Sequence, residues 1–207
     1  MTRALPIGFS ESMVLALLDG RKSVTRRLAP GNVFPRGAPW IGLEPGDLLW
    51  VQEFHTVTSR RSPSHPAGPA IGGVYLADRA PWSVDPWPER LRWPGEEPRR
   101  LPRFMPIEAS RLTLRLEEKP RLEDITAITE AEAKAEGIQR FFDRGAPRWG
   151  VEAKGPLFPT AREAFVHLWQ SLHGDRFKSG TMVTRLGAFT VLRQNVRTLV
   201  AERGVAA

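Results

Sequence analysis

The sequence contains no cysteine among its 207 residues, and this absence limits the chemistry open to the chain. Without cysteine there is no disulfide, no thiol nucleophile and no zinc site with a thiolate ligand. Histidine is also scarce: His55, His65, His167 and His173 are the four, and no two of them have the spacing of a helical metal site. We therefore expect neither a metal nor another cofactor.

Long hydrophobic stretches are missing as well. No apolar run reaches the roughly 18 residues that a membrane helix needs. Met1 to Pro6 lacks the basic start, apolar segment and small-residue cleavage site of a signal peptide. These features predict a cytoplasmic protein with no membrane partner. Since 41% of the residues are hydrophobic, the chain has enough apolar surface for a single domain spanning residues 1–207.

Lysine is scarce too, while positive charge is abundant. Of the 30 basic residues only five are lysine, so the remaining 25 are arginine, and the formal net charge is +7. A guanidinium group matches the geometry of a phosphate, and a positive field attracts polyanions. The composition therefore favours RNA or a nucleoside as partner, with a simple solvated basic surface as the alternative. No pattern indicates an oligomeric state.

Local signals define several short elements. Ser10 as N-cap and Gly20 as stop predict a helix from about residue 11 to 19, and a strand is expected over 48–51. Strict alternation of leucine predicts a strand over 110–116. Capping boxes at 129–132 and 160–163 begin two further helices. Residues 182–193 read as a strand interrupted at Gly187. Strands mixed with short capped helices predict an α+β, barrel-like domain.

Two regions stand apart from these elements. Residues 81–106 hold seven prolines together with Trp82, Trp87 and Trp93, so we predict a long loop insertion at about 80–106. Its tryptophans are expected to fix the loop to the domain, with stacking on nucleic-acid bases as the alternative. At the other end of the chain, residues 198–207 are expected to form a frayed tail.

Four stretches resemble one known family when taken in order. They are MVLALLDGRKSVTRR (13–27), PGDLLWVQEF (45–54), MPIEASRLTLRLEEKPRLEDITAITEAEAKAEGI (105–138) and AFVHLWQSLHG (164–174). The chain resembles the ASCH-domain family, and especially its bacterial and phage-encoded branch. The Gly-Arg-Lys-Ser-x-Thr-x-Arg pattern from Gly20 to Arg27 matches the family signature. The resemblance implies a β-barrel like that of PUA RNA-binding domains.

The resemblance also implies a site. Some ASCH relatives are amidohydrolases that remove the acetyl group from acetylated cytidine, and their catalytic positions fall on Lys22, Thr25 and Glu136. Thr25 would be the nucleophile or would position an attacking water, and Lys22 would be the base if burial lowers its pKa. Glu136 would orient Lys22. Because Lys22 and Thr25 would lie on opposite faces of a regular strand, the segment must bend between them.

Further residues are expected around this site. Arg21, Arg26, Arg27 and Arg111 are candidates for phosphate contacts, and Glu53 is expected to pair with Arg21 or Arg26. Other ASCH relatives are ribonucleases or bind RNA without known chemistry, so three functions remain open: hydrolysis of an acylated cytidine amide or cleavage of RNA, binding alone, and a structural role in a phage.

Overall fold

The computed structural model of the protein describes residues 2–29, 40–61, 69–85, 87 and 96–202. In these residues the chain is an α+β structure in which strands predominate, as the sequence predicts. The helices are α1 (Glu11–Leu18), α2 (Glu130–Ala135), α3 (Ala161–His173) and α4 (Val196–Glu202). The strands are β1 (Ala4–Gly8), β2 (Thr25–Leu28), β3 (Leu48–Gln52), β4 (His55–Arg61), β5 (Pro69–Val74), β6 (Pro81–Val84), β7 (Glu97–Arg100), β8 (Thr113–Leu116), β9 (Arg121–Asp124), β10 (Gln139–Asp143), β11 (Ala146–Gly150), β12 (Met182–Leu186) and β13 (Phe189–Leu192).

These strands form four sheets. Their orders are β1-β3-β8-β13, β2-β12-β9, β6-β5-β4-β7 and the two-stranded β10-β11. Strand β1 pairs in parallel with β3, and the pairs in the other three sheets are antiparallel. None of the sheets built from the described strands closes on itself, so the barrel that the resemblance implies is not found in this part of the chain.

By its internal contacts the chain divides into two compact units, each assembled from segments that are distant in sequence. Unit 1 comprises Met1–Leu15, Leu48–Leu114 and Leu192–Ala207, and unit 2 comprises Ala16–Asp47 and Arg115–Val191. Each unit has its own core. The sequence predicts a single domain over residues 1–207. This stays a prediction, because a domain is defined by independent folding and the two units are defined by contacts.

The buried apolar side chains of unit 1 include two clusters formed by described residues. One is built from the strands of the β6-β5-β4-β7 sheet and the segment that follows it: Val57, Ile71, Tyr75, Trp82, Trp87, Met105 and Ala109. The other joins Leu48 of β3 to Val196 and Leu199 of α4. Burial of these two helical residues explains why the chain is helical as far as Glu202, where the sequence predicts a frayed tail from residue 198. Residues 203–207 lie outside the described residues.

Unit 2 is organised around helices α2 and α3. Their buried residues, among them Ala133, Phe165 and Trp169, pack with Ile125, Ile128 and Val183 in one cluster. Both helices begin at threonine caps, as predicted. Thr129 and Glu132 form a complete capping box, and Thr160 accepts a hydrogen bond from the Glu163 amide. Leu172 is 63% exposed although helical periodicity predicts it to face inward, because α3 ends one residue later.

The Pro-rich stretch differs from the predicted surface loop. It supplies β6 and β7, which are the two outer strands of the β6-β5-β4-β7 sheet. Proline is tolerated at a sheet edge because its missing amide donor is not needed there; Pro81 is the first residue of β6. Trp82 and Trp87 are 7% and 9% exposed and belong to the core of unit 1, which is the fixing role predicted for them. Trp93 lies outside the described residues.

Replacement of Trp82 tests how far this stretch is part of the core. Its ring is buried and its Nε1 donates to the Thr56 carbonyl oxygen at 3.2 Å. We expect Trp82→Ala to lower the free energy of unfolding by about 3–5 kcal/mol, as for other buried tryptophans. Trp82→Phe keeps most of the apolar contact and should cost clearly less. Urea unfolding measures both, and a loss below about 1 kcal/mol for Trp82→Ala would contradict a core role.

Candidate functional site

The segment from residue 21 to 24 is not a regular strand, and its irregularity sets the geometry of the site. The amides of Ser23 and Val24 both donate to the carbonyl oxygen of Ala135, at 2.9 and 3.2 Å. Two successive donors on one acceptor bend the chain as a β-bulge does. Lys22 forms an isolated antiparallel bridge with Glu136, and regular pairing begins only at Thr25. The segment thus bends between Lys22 and Thr25, as the predicted site requires.

Lys22 and Glu136 form a buried ion pair between positions 114 residues apart. Lys22 Nζ donates to Glu136 Oε2 at 2.6 Å and to the Glu136 carbonyl oxygen at 2.8 Å. The two residues are 2% and 4% exposed. Burial lowers the pKa of Lys22, because the charged ammonium loses its hydration, while Glu136 opposes this shift and the nearby Arg27 and Arg26 reinforce it.

This pair lies at the carboxyl end of α2. Arg21 Nη1 donates to the Gly137 carbonyl oxygen at 2.9 Å, beside the bond from Lys22 to the Glu136 carbonyl. Cationic side chains therefore satisfy the carbonyls that a helix leaves free at its end. Arg21 also pairs with Asp19 at 3.0 Å. In the structure Arg21 helps to hold the end of α2.

Arg26 lies at the centre of a second group of charged side chains. Its side chain is fully buried and pairs with Glu123, Glu132 and Glu136 at 2.7, 3.1 and 3.1 Å. These carboxylates outweigh the effect of burial and raise the pKa of Arg26 above its usual value. Arg26 is therefore an internal counter-ion. This differs from the expected phosphate contact, because a side chain without exposed surface cannot reach a ligand.

The carboxylates around Arg26 compensate the charge of a row of three arginines. Across the β2-β12-β9 sheet, Arg26 stands opposite Arg185, and Arg185 stands opposite Arg121. Like charges placed directly across strands repel. Glu132 of α2 lies within 3.1, 3.2 and 3.7 Å of the three guanidinium groups, and so it compensates the whole row. The sequence did not predict this role of Glu132. The one signal that pointed to Glu132 was its position in the capping box of α2.

Thr25 has a different hydrogen-bond partner from Lys22: it bonds Arg27, whereas Lys22 bonds Glu136. Thr25 is fully buried, and its Oγ1 accepts a hydrogen bond from Arg27 Nη1 at 2.8 Å. Burial lowers the pKa of Arg27 to about 10, partly offset by Glu136, so the guanidinium stays charged at neutral pH. Arg27 stands opposite Thr184 in the sheet, and Thr184 Oγ1 is buried with no hydrogen-bond partner among the described residues. A hydroxyl without a partner is expected where a water or a polar ligand binds.

Glu53 and Arg111 form a separate cluster in unit 1. Arg111 donates from Nε and Nη2 to the two carboxylate oxygens of Glu53, at 2.9 and 2.8 Å, and also binds Asp78. Its guanidinium carbon lies 3.9 Å from the centre of the Tyr75 ring. Burial raises the pKa of Glu53, and the bonds from Arg111 oppose that shift. Glu53 thus pairs with Arg111 and not with Arg21 or Arg26, whose carboxylate partners are in unit 2.

Beside this cluster, His55 is buried and carries an unsatisfied nitrogen. Its Nδ1 lies 2.9 Å from the Glu53 carbonyl oxygen and therefore carries the proton, while Nε2 has no partner among the described residues. Its ring meets Trp82 edge to face at 5.5 Å. Burial lowers the pKa of His55, and the bond to Glu53 and the charges of Arg100 and Glu97 modify that shift.

Two open grooves, of about 530 and 480 Å³, lie in unit 1. The larger is lined by Tyr75, Arg111, Asn195 and Arg197 among others. Neither groove includes Lys22, Thr25 or Glu136. Among the described residues, no group of histidine, aspartate and glutamate has the arrangement of a metal site, and no helix is long and apolar enough to cross a membrane.

Comparison with known proteins adds no identification. No protein-family model matches the chain, and neither the curated proteins nor the solved structures include a significant match.

A double-mutant cycle measures the strength of the central ion pair. We expect Lys22→Met and Glu136→Gln each to lower the free energy of unfolding by about 3–5 kcal/mol, because each leaves a buried charge without its partner. The double variant should lose about 1–3 kcal/mol less than the sum, since both charges are then removed. Additivity within about 0.5 kcal/mol in urea unfolding would show that the pair is not energetically coupled.

The buried His55 predicts a pH dependence of stability. Because its pKa is lower in the folded than in the unfolded state, the unfolded chain takes up a proton first as the pH falls below about 6.5. The free energy of unfolding should therefore decrease between about pH 7.5 and pH 5.5, by at most about 1.4 kcal/mol per pH unit for this group.

His55→Phe keeps a ring against Trp82 and removes the titrating group, so its stability should depend less on pH than that of the wild type. The comparison is needed because burial also lowers the pKa of His173, which contributes with the same sign in both proteins. Equal pH slopes for the two proteins would exclude His55 as a source of the dependence.

Proposed function

We propose that this protein is an ASCH-type protein that binds RNA or a modified nucleoside and hydrolyses an acylated cytidine amide at the site of Lys22, Thr25 and Glu136. The observation that carries the proposal is the buried bond of 2.6 Å between Lys22 Nζ and Glu136 Oε2. It joins two of the three residues that the resemblance selects, across 114 positions of sequence. A solvated loop lysine, which is the alternative for Lys22, would not be 2% exposed.

The chemistry assigned to Lys22 follows from its surroundings. Amide hydrolysis needs a group that accepts a proton from the nucleophile and returns it to the leaving amine. Burial lowers the pKa of Lys22, which increases the fraction of neutral amine, while Glu136 fixes the position of Nζ. The bend at Ser23 and Val24 frees Lys22 and Thr25 from the strict alternation of a strand.

Thr25 and Arg27 supply the nucleophile and its support. The Arg27 guanidinium donates to Thr25 Oγ1, and a cation in this position stabilises negative charge on the hydroxyl oxygen or on the oxyanion of a tetrahedral intermediate. Thr25 is fully buried, whereas Arg27 is half-buried. Arg27 would stay beside Thr25 and bond the carbonyl oxygen of the substrate, and the Thr184 hydroxyl would bond the acyl group.

Binding without chemistry is the second candidate, and one observation favours it. Lys22 Nζ donates twice to Glu136, and Arg26 is surrounded by three carboxylates, so both cations have anionic partners without a ligand. Such a network could serve only to hold the segment from residue 21 to 28 against α2. The two candidates differ in whether the protein turns over an acylated nucleoside.

The decisive experiment compares two matched threonine variants. Thr25 and Thr113 are both fully buried, and each hydroxyl makes one hydrogen bond of 2.8 Å. Thr25→Val and Thr113→Val should therefore lose similar stability, about 1 kcal/mol each. We expect wild type and Thr113→Val to convert acetylated cytidine to cytidine and acetate, and Thr25→Val to lose at least about 100-fold in kcat/KM.

The same assay distinguishes the alternatives. Absence of turnover by wild type at high enzyme concentration would contradict hydrolysis, and RNA binding that persists would then support binding alone. Cleavage of RNA without release of acetate would indicate a ribonuclease. If both threonine variants lost activity equally, the effect would be one of stability and the role of Thr25 would be refuted.

A further inference from the structure

The hairpin formed by β10 and β11 carries positive charge that no carboxylate in the described part of the chain neutralises. Over residues 139–150 it has Arg140, Arg144 and Arg148 against a single acidic residue, Asp143. None of these arginines forms an ion pair with any described residue. Most other arginines discussed above are paired, whereas the hairpin brings three arginines without a described ion-pair partner together within nine residues.

The shape of the hairpin is that of a two-stranded arm. The β10-β11 pair is a sheet by itself, with five residue pairs from Gln139↔Gly150 to Asp143↔Ala146. Arg144 and Gly145 have φ angles of +49° and +82° and close the tight turn between the strands. Its base is anchored, because Trp149 bridges to Phe158 and packs on the core of unit 2. All residues from 142 to 147 are exposed.

The distribution of the side chains fits a groove with two charged walls. Arg140 shares a face with Trp149, and Arg148 shares the opposite face with Phe141, so the ribbon has a cation on each face and Arg144 at its tip. Phe142 is 69% exposed, the largest exposure among the large apolar side chains of the described residues. An arm with cations on both faces and at its tip is complementary to a polyanion that encloses it.

We propose that this hairpin binds double-stranded DNA by entering its major groove. That groove is about 12 Å wide and about 8.5 Å deep, and it admits a two-stranded ribbon, whereas the major groove of A-form RNA is too narrow. At about 3.4 Å per residue, the exposed tip reaches about 7–10 Å, which matches the depth. Arg140 and Arg148 then face the phosphates of the two walls, and Phe142, two residues nearer the tip on the face of Arg140, lies deeper in the groove.

The test uses the full-length protein and fluorescence anisotropy with a labelled mixed-sequence DNA duplex. The variant Arg140→Gln/Arg144→Asn/Arg148→Gln removes three charges, and asparagine is chosen at 144 because it tolerates a positive φ. The matched control Arg79→Asn/Arg176→Gln/Lys178→Gln also removes three charges, and Arg79 has a positive φ as well, of +62°. Circular dichroism verifies that both proteins are folded.

We expect the hairpin variant to bind the duplex at least about tenfold more weakly, and the slope of log K against log salt to shrink by about 1.8, which corresponds to the two phosphate contacts of Arg140 and Arg148. The control should change affinity by less than about threefold. Phe142→Ser should weaken binding without altering the salt slope, since it removes no charge. These results would support the proposal.

Three results would overturn it. Equal weakening in both charge variants would show that overall charge holds the DNA. Duplex RNA or single-stranded DNA bound as tightly as duplex DNA, with the same loss on hairpin substitution, would assign the arm to another ligand. No binding of duplex DNA by wild type even at low salt would exclude the site. The proposal does not depend on hydrolysis at Thr25, because the hairpin variant leaves that site unchanged.

Discussion

The arrangement of unit 2 depends on the carboxylates of α2 that face the cations of the neighbouring strand and loop. Three arginines lie side by side across the β2-β12-β9 sheet, and Glu132 lies within ion-pair distance of all three, with Glu123 as a second partner of Arg26 and Arg121. One turn further along, Glu136 holds Lys22. The capping box at Thr129 fixes the start of the helix and thereby the position of both carboxylates. The residues that cap α2 therefore also determine where its carboxylates meet the arginines.

The same packing of α2 also affects the pKa of Lys22 in the candidate site. Burial alone lowers the pKa of a lysine, and a carboxylate alone raises it. At Lys22 burial is the larger effect, and the arginines nearby act in the same direction, so the shift is downward despite the contact with Glu136. The direction of this shift agrees with the role of base that we propose for Lys22. The pairing of these charges with one another is what makes a purely structural role the alternative.

Local sequence signals predicted the elements well where one residue determines the outcome. Ser10, Gly20 and the threonine caps define helix ends because they satisfy or release backbone groups by themselves. Gly187 separates β12 from β13 as predicted. The Pro-rich stretch, predicted as a loop insertion, forms strands β6 and β7 in part of its described residues, because proline excludes a chain from the centre of a sheet but permits it at the edge. Trp82, the second residue of the edge strand β6, lies in the core of unit 1.

The sequence by itself determined the α+β class, the short capped helices, the surplus of arginine and, through the ASCH resemblance, the choice of Lys22, Thr25 and Glu136. Only the tertiary structure decided which charges meet: that Arg26 is an internal counter-ion, that Glu53 belongs to Arg111, and that the arginines of the β10-β11 hairpin are left free. The reason is physical. Helix caps and turns depend on neighbours within a few residues, whereas ion pairs depend on strand register and helix packing, which join positions more than 100 residues apart.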